Sequence, residues 1–537
     1  MPRHLKVLTV IFLLAAGLRF YGLNWDQNAH LHPDERFLTM VANAMSWPNT
    51  TWQYLDTATS QLNPHNVGWG FYVYGTFPVI LVKFIAELLG KGDYNQLTLV
   101  GRAMSTIVDL GTLLLVYLIA KRLFKNQVVS VLSAFGYATS VLSIQLSHFF
   151  AVDPYLTFFL TLSFYLLLKN SPFLGVAFGL AIASKISAVI FSPVIALGFI
   201  LSRPKIFFLL LFTITIYIAV RLAQPYLFAD TQLFSLTLNP KVIANWKELK
   251  YFSQPGIFYP PGVQWTHIIK GWFPFENMIL WGLGIPLGIA AVLGLFYLPK
   301  IIFFWILLLY GYESLQYAQT VRYFHPIYPY LAISAGLFLS KLNQKLLPIA
   351  CCLLLIWPAA FVSIYSRPVS RVSASEWIFK NIPAGSKLSC EHWDDCLPLG
   401  GSPSYQFVEF PLYNPDTPQK WSLMSQHLAS VDYIILSSNR LYGSIMTVPE
   451  KYPTTNQFYK SLFDGSLGFT PIAQFTSRPN IPIPGLKLCL TPPNDAYGYL
   501  ARSIQDCPLS GISFVDDYAD ENFTVFDHPK VIIFKKP

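Results

Sequence analysis

The chain has 537 residues, of which 53% are hydrophobic, 16% aromatic and only 12% charged, with a mean hydropathy of +0.44. So little charge cannot cover a soluble surface of this size, which excludes the soluble classes and leaves a polytopic membrane protein. The net charge of +9 does not point to nucleic acid, because much of the basic excess sits at the ends of apolar runs, where Lys and Arg mark the cytoplasmic side.

The first apolar run, 6–23, reads as an uncleaved span rather than a signal peptide, since many more follow it. Further runs lie at 98–120, 127–147, 152–168, 172–201, 205–223, 279–298, 301–317, 326–340 and 346–365. Segment 172–201 is too long for one crossing and carries Ser184-Lys185 near its middle, so it reads as two short helices. The sum is about eleven spans. Residues 69–90 are apolar enough to cross but contain Pro78, Lys83 and Glu87. Laying this stretch along the interface puts Lys121-Arg122-Lys125, Arg203-Lys205 and Lys341-Lys345 on the same inner side as Arg3-His4-Lys6. The N-terminus is then cytoplasmic and the C-terminus outside.

In that topology the first loop (24–97), the turn from Ser147-His148 to Asp153, the 224–278 loop and Gln319–Arg322 all emerge outside. Arg19, Arg102, Asp153, Lys185 and Arg322 lie near that face. Ionisable groups in spans are costly and mark functional cavities, so an outer cavity with basic walls and a few carboxylates is expected. The first loop adds AHLHPDERF, with Asp34-Glu35 side by side. His30 and His32 in the same stretch are weak metal candidates without a clear third ligand.

Residues 1–365 form the membrane domain and 366–537 a small extracytoplasmic α/β domain. SASEWIFKNIP predicts a helix opened by Ser373 or Ser375 and stopped before Pro383; VDYIILSS and KVIIFKK predict strands. Cys390, Cys396, Cys489 and Cys507 lie on the oxidising side, where pairing of sequence neighbours gives Cys390–Cys396 and Cys489–Cys507; free thiols in a core are the alternative. No CxxC or HExxH pattern occurs. Trp393-Asp394-Asp395 reads as a structural turn, with stacking on a sugar ring the other possibility.

Several of these residues recur in a fixed order: Arg19 late in span one, Asp34-Glu35 in the first outer loop, and Gly101-Arg102 opening the next true span. SHFFAVDPYLTFF, GLAIASKISA and VRYFHPIYPYLAI follow. The pattern resembles the protein O-mannosyltransferases and their bacterial relatives, including the aminoarabinose transferases, of the glycosyltransferase-C superfamily. EHWDDCLPL and DENFTVFDHPKVIIF resemble domains attached to uncharacterised bacterial members. The chain departs from the eukaryotic enzymes in lacking a lumenal domain between middle spans and in reading HPDERF at the first-loop motif.

The resemblance implies an inverting transfer of a sugar from a polyprenyl-phosphate carrier to an acceptor hydroxyl of protein, lipid or glycan at the outer face. Asp34 is then the base and Glu35 orients it or the acceptor. Arg102, Lys185 and Arg322 contact the donor phosphate, Arg19 supports them, and Asp153, with His148 in the same turn, holds a cation or touches the sugar. The resemblance implies no definite cofactor and leaves a divalent metal, which some superfamily members use, as the weaker alternative. The rival readings are a transporter or flippase of lipid-linked sugar that uses the same cations without chemistry, and an assembly protein whose outer domain binds partners.

Overall fold

The computed structural model describes residues 2–257, 259–491 and 507–537. Three described helical segments are long and apolar enough to cross a membrane: Tyr94–Phe124, Ile206–Ala223 and Leu346–Asn381, the last of which is α-helical over Leu346–Val362 before a 3-10 turn at Ser363–Ser366. The pair Gln127–Ala138 and Val141–Ser147 is long and apolar enough only when taken together, and is bent by 56°. Asp153–Leu168, Leu174–Ser184, Ile186–Ser202 and Ile285–Tyr297 are shorter apolar pieces, so eleven full-length helices are not found among the described residues. The backbone interrupts the apolar runs. Gly284 takes a φ of 81° just before Ile285, and Pro326 sits in the 3-10 turn Val321–Ile327 that precedes Tyr328–Leu339.

The break expected inside 172–201 is present. Lys185 is extended (φ −158°, ψ 128°) between the Leu174–Ser184 helix and a 3-10 turn at Ile186–Phe191. The 69–90 run yields a 13-residue helix, Thr76–Leu88, about 20 Å long and too short to cross. It packs on Pro33–Ala44, Tyr94–Phe124 and Leu174–Ser184, burying Val79, Val82 and Ala86 while Phe84 and Leu88 stay exposed.

The lipid-facing character is clearest on Ile206–Ala223, where Ile206, Phe207, Leu210, Ile214, Ile218 and Leu222 are all exposed. Its inner face meets Leu174–Ser184 through glycines. A Cβ at Gly175 or Gly179 would overlap the facing helix, so these positions allow the close approach.

The C-terminal part holds eight short strands: β1 (Lys387–Glu391), β2 (Gln406–Phe410), β3 (Tyr433–Leu436), β4 (Thr470–Phe475), β5 (Asn480–Ile481), β6 (Lys487–Leu490), β7 (Gly511–Phe514) and β8 (Val531–Lys535). The larger sheet has the order β2-β1-β3-β8-β4, with β1 parallel to β2 and β3, and β8 antiparallel to β3 and β4. A second sheet runs β5-β7-β6. Both faces of β3 are covered, as its unbroken apolar run requires. Tyr433 and Ile435 meet Ala374 and Ile378 of one helix, whereas Ile434 and Leu436 share a cluster with Met424 of another.

The strands expected from VDYIILSS and KVIIFKK are β3 and β8. The SASEWIF helix, however, runs Ser370–Asn381 and starts before Ser373, without a side-chain cap. Tertiary contacts fix its start: Ser370 Oγ bonds the Pro529 carbonyl and Arg371 holds Asp394 and Asp395. Disulfides join Cys390 to Cys396 and Cys489 to Cys507. The largest apolar cluster of the membrane domain also takes in Ala519, Phe523, Val525 and Phe526, so the end of the chain completes the membrane core.

Candidate active site

His32 and Pro33 open the Pro33–Ala44 helix. The His32 ring Nδ1 accepts the Glu35 amide at 3.2 Å, and proline occupies the first turn, where its missing N–H costs nothing. Asp34 and Glu35 therefore sit in the first turn, where a helix favours negative charge. One residue is about 100° of turn, so the two carboxylates point apart. They have different fates.

Glu35 points inward and is fully buried. Its carboxylate accepts Arg102 at 2.5 and 2.9 Å and the Phe150 amide at 2.7 Å. Arg102 also donates to Asp26 at 2.8 and 3.1 Å and to the Leu23 carbonyl at 2.6 Å, and lies 4.8 Å over the Trp25 ring. Burial pushes the Glu35 carboxyl up. Burial also opposes ionisation of Asp26, but Arg102 and the Leu31 amide hold it below its ordinary value. Arg102 is thus enclosed by two carboxylates and offers no face to a donor.

Asp34 points outward. Its Oδ2 is 2.5 Å from Arg322 Nη1, with the two side chains 25% and 19% exposed. The Tyr74 hydroxyl also acts on Asp34. Burial alone would raise the Asp34 carboxyl, but Arg322, His32 and these hydrogen bonds hold it well below the usual carboxylate range. A second pair lies alongside: Lys185 Nζ donates to Asp153 Oδ1 at 2.8 Å. Tyr323 separates the two cations, its ring centroid 4.8 Å from Lys185 Nζ and 5.6 Å from Arg322 Cζ. Arg322 Nε is buried with no hydrogen-bond partner among the described residues. Two carboxylates and two cations are thus gathered, partly exposed, around Tyr323.

The remaining sequence candidates fall outside this group. Arg19 is fully buried, bonded to Asp109 at 2.5 Å and to the Ala138 and Tyr137 carbonyls at 3.0 and 3.1 Å. It satisfies orphan carbonyls where the Gln127–Ala138 helix ends at the bend. His148 stacks on Tyr365 and bonds the Ile144 and Tyr21 carbonyls. His32 is buried between Phe149 and Phe526, and burial pulls its pKa down to about 4; His30 faces Asn95. Among the described residues no group of three His, Cys, Asp or Glu is placed to hold a metal. In the Trp393 turn, Asp394 is bound by Arg371, while Asp395 bridges Arg371 and Arg36 of the Asp34 helix. That arrangement is the structural turn expected. Asp26, Tyr74 and Tyr323 were given no role from sequence, and Asp109 stood out only as a charge deep in its span without a partner to assign; their signal was proximity, since each lies within a run already marked by a charge or a motif.

An apolar cavity of about 570 Å³ opens between the Thr76–Leu88, Leu174–Ser184 and Ile206–Ala223 helices, lined by Trp47, Tyr54, Phe77, Phe84, Leu180 and Ile218 among others. The Gly75 amide donates to the Ser184 carbonyl at 3.1 Å, so the start of the Thr76–Leu88 helix and the residue before Lys185 are directly joined.

A helical membrane domain followed by a sheet-bearing C-terminal part is a fold this chain shares with solved membrane oligosaccharyltransferases. Residues 77–228 match the family model described as dolichyl-phosphate-mannose-protein mannosyltransferase. The Archaeoglobus fulgidus oligosaccharyltransferase tethered to an acceptor peptide containing the NVT sequon shares the fold at a TM-score of 0.54 and 13% identity, over 99% of this chain and 88% of that one. The apo form of the same enzyme gives 0.51 and 15%, over 85% and 72%. ArnT from Cupriavidus metallidurans bound to undecaprenyl phosphate aligns at 0.44 and 13%, over 70% and 72%. A comparison with curated protein sequences gave no match.

Proposed function

We propose that the protein transfers a sugar from a polyprenyl-phosphate carrier to an acceptor hydroxyl at the extracytoplasmic face of the membrane, with inversion at the anomeric carbon. The acceptor oxygen attacks that carbon while its proton passes to Asp34. The bond from the carbon to the phosphate oxygen breaks, and the carrier phosphate leaves with the electron pair. Lys185 and Arg322 receive the charge that develops there, in a site of low dielectric where cations count most. The orphan Nε of Arg322 supports this role. The apolar cavity lined by Phe77, Leu180 and Ile218 is suited to the carrier's isoprenoid tail. The matched family model, named for a dolichyl-phosphate sugar donor, supports a polyprenyl-phosphate substrate.

Arg102 and Glu35 leave the chemical roles expected of them. Together with Asp26 they form the buried support that fixes the Asp34 helix against Tyr94–Phe124. Arg19 and His148 serve the fold, and Asp153 holds Lys185 in place. The N-terminus is cytoplasmic, and the pocket and the domain from residue 366 face outward.

The observation that carries this reading is the Asp34–Arg322 pair lying beside Asp153–Lys185 around Tyr323. It couples a base to the cations that a leaving phosphate needs. The test is turnover of polyprenyl-phosphate sugars by the purified chain. Asp34→Asn is expected to bind the carrier and to transfer about 10²–10⁴-fold more slowly. Unchanged transfer would remove Asp34 as the base, and movement of intact lipid-linked sugar between leaflets without turnover would favour the flippase reading.

A further inference from the structure

The 3-10 turn Val321–Ile327 places Arg322 at its second residue, yet its N-cap, Thr320, makes no capping bond with its own side chain. Asp520, from the C-terminal part, supplies the cap. Its Oδ2 accepts Thr320 Oγ1 at 2.6 Å and the Val321 amide at 2.9 Å, and the carboxyl group is fully buried. Asp520 is itself pinned. Its amide donates to Asn277 Oδ1 at 2.7 Å, the next amide donates to Gln264 Oε1 at 3.3 Å, and Glu521 Oε1 accepts Arg440 Nε at 2.5 Å. The other carboxyl oxygen, Oδ1, has no hydrogen-bond partner among the described residues. The backbone that aims Arg322 at Asp34 is therefore held by a residue of another domain.

We infer that Asp520 is a positioning residue for Arg322: by capping the turn at Thr320 and Val321 from the C-terminal domain, it sets the guanidinium that meets the donor phosphate. The inference rests on the reading of Arg322 as a phosphate contact. The Asp520 oxygen meets the hydroxyl and amide donors that the turn's own N-cap leaves unmet at its start. Arg322 follows the capped amide directly. Without the cap the first residues of the turn are free to unwind, and the guanidinium loses its place between Asp34 and Tyr323.

The experiment uses the full chain in lipid nanodiscs, with undecaprenyl phosphate and its uncharged alcohol, undecaprenol, as probes. The ratio of their affinities reports phosphate recognition and is insensitive to the fit of the tail. Arg322→Ala is expected to cut the preference for the phosphate roughly tenfold, and Asp520→Ala to cut it comparably. Asp520→Asn is expected to retain it, because the amide oxygen accepts both bonds and the amino group replaces the oxygen that has no partner. The double variant Asp520→Ala/Arg322→Ala should be no worse than Arg322→Ala, as expected for two residues acting through one contact.

A folded Asp520→Ala protein that keeps the wild-type preference while Arg322→Ala has lost it overturns the inference. So does an Asp520→Asn variant as impaired as the alanine, since charge rather than capping would then be at work. If Asp520→Ala does not fold, Thr320→Val serves instead; it removes one of the two bonds at nearly constant volume. A lowered phosphate preference in that variant supports the inference and an unchanged one overturns it. An Arg322→Ala protein with undiminished preference overturns the phosphate role of Arg322 itself, a separate result that does not depend on Asp520.

Discussion

Asp34 and Glu35 are chemically near-identical neighbours that the fold sends in opposite directions, and the pocket depends on that divergence. A carboxylate paired with Arg322 is ionised throughout the working range but is a weak base, because its pKa is held well down. Donor phosphate competing for Arg322 would free the carboxylate to take a proton at the moment it is needed. Replacing the arginine should expose this balance. In Arg322→Gln, burial is no longer overcome and the Asp34 pKa rises past its ordinary value of about 4. An acid limb should then enter the pH profile of kcat/KM above that value, where the wild type is flat. The sequence marked both carboxylates and five cationic or acidic partners but could not separate support from chemistry. A count of charges does not reveal which are paired, and nothing in the sequence ties Asp26 to Arg102 or Asp109 to Arg19.

At the scale of elements, the breaks matter more than the spans. Lys185 reaches the pocket because the backbone leaves the helix there, and the Thr76–Leu88 helix is tied to that break through Gly75. A Cβ at Gly75 would overlap the carbonyl oxygens of Ala183 and Ser184. Gly75→Ala should force the two elements apart, displace Lys185 and lower transfer roughly a hundredfold, the penalty of about an ångström of misplacement at a reacting centre; a single-turnover assay on folded protein would measure it. In the C-terminal sheet, the last residue of β1 offers a different test. Burial pushes the Glu391 carboxyl up to about 8, against the single hydrogen bond from Tyr459. An acid whose pKa is raised on folding stabilises fully below its unfolded value, near 4.5, and loses that contribution as pH rises towards 8. Thermal unfolding from pH 5 to 8 should therefore decline in the wild type and flatten in Glu391→Gln. The break at Lys185 was legible because a lysine in an apolar run needs a reason. The 56° bend at Thr139-Ser140 was not, since hydropathy averages across a kink that only hydrogen bonding reveals.

For the molecule as a whole, the two parts foreseen from composition are less separable than a boundary near residue 366 implied. The strands β3 and β8 could be read from their apolar runs. The packing of 515–530 against the membrane domain could not, because its contacts link residues far apart in the chain and leave no periodic trace. Phe523 contacts the rings of Trp281 and Phe361, and its carbonyl accepts Gln145 Nε2 at 2.8 Å. Tyr365 and Gln145 both reach Asp527. Phe523→Ala should cost about 3–5 kcal/mol, in line with large core truncations. The loss should appear as one lowered transition for the entire protein in thermal unfolding, because the residue belongs to the membrane core as much as to the domain that carries it.

Thr320 and Asp520 are 200 residues apart in sequence. During synthesis, every helix of the membrane domain is made before the aspartate emerges, and the turn that aims Arg322 waits for it. The cap at Thr320 and Val321 is thus the last contact of that turn to form, made only once the chain has been extended past residue 520.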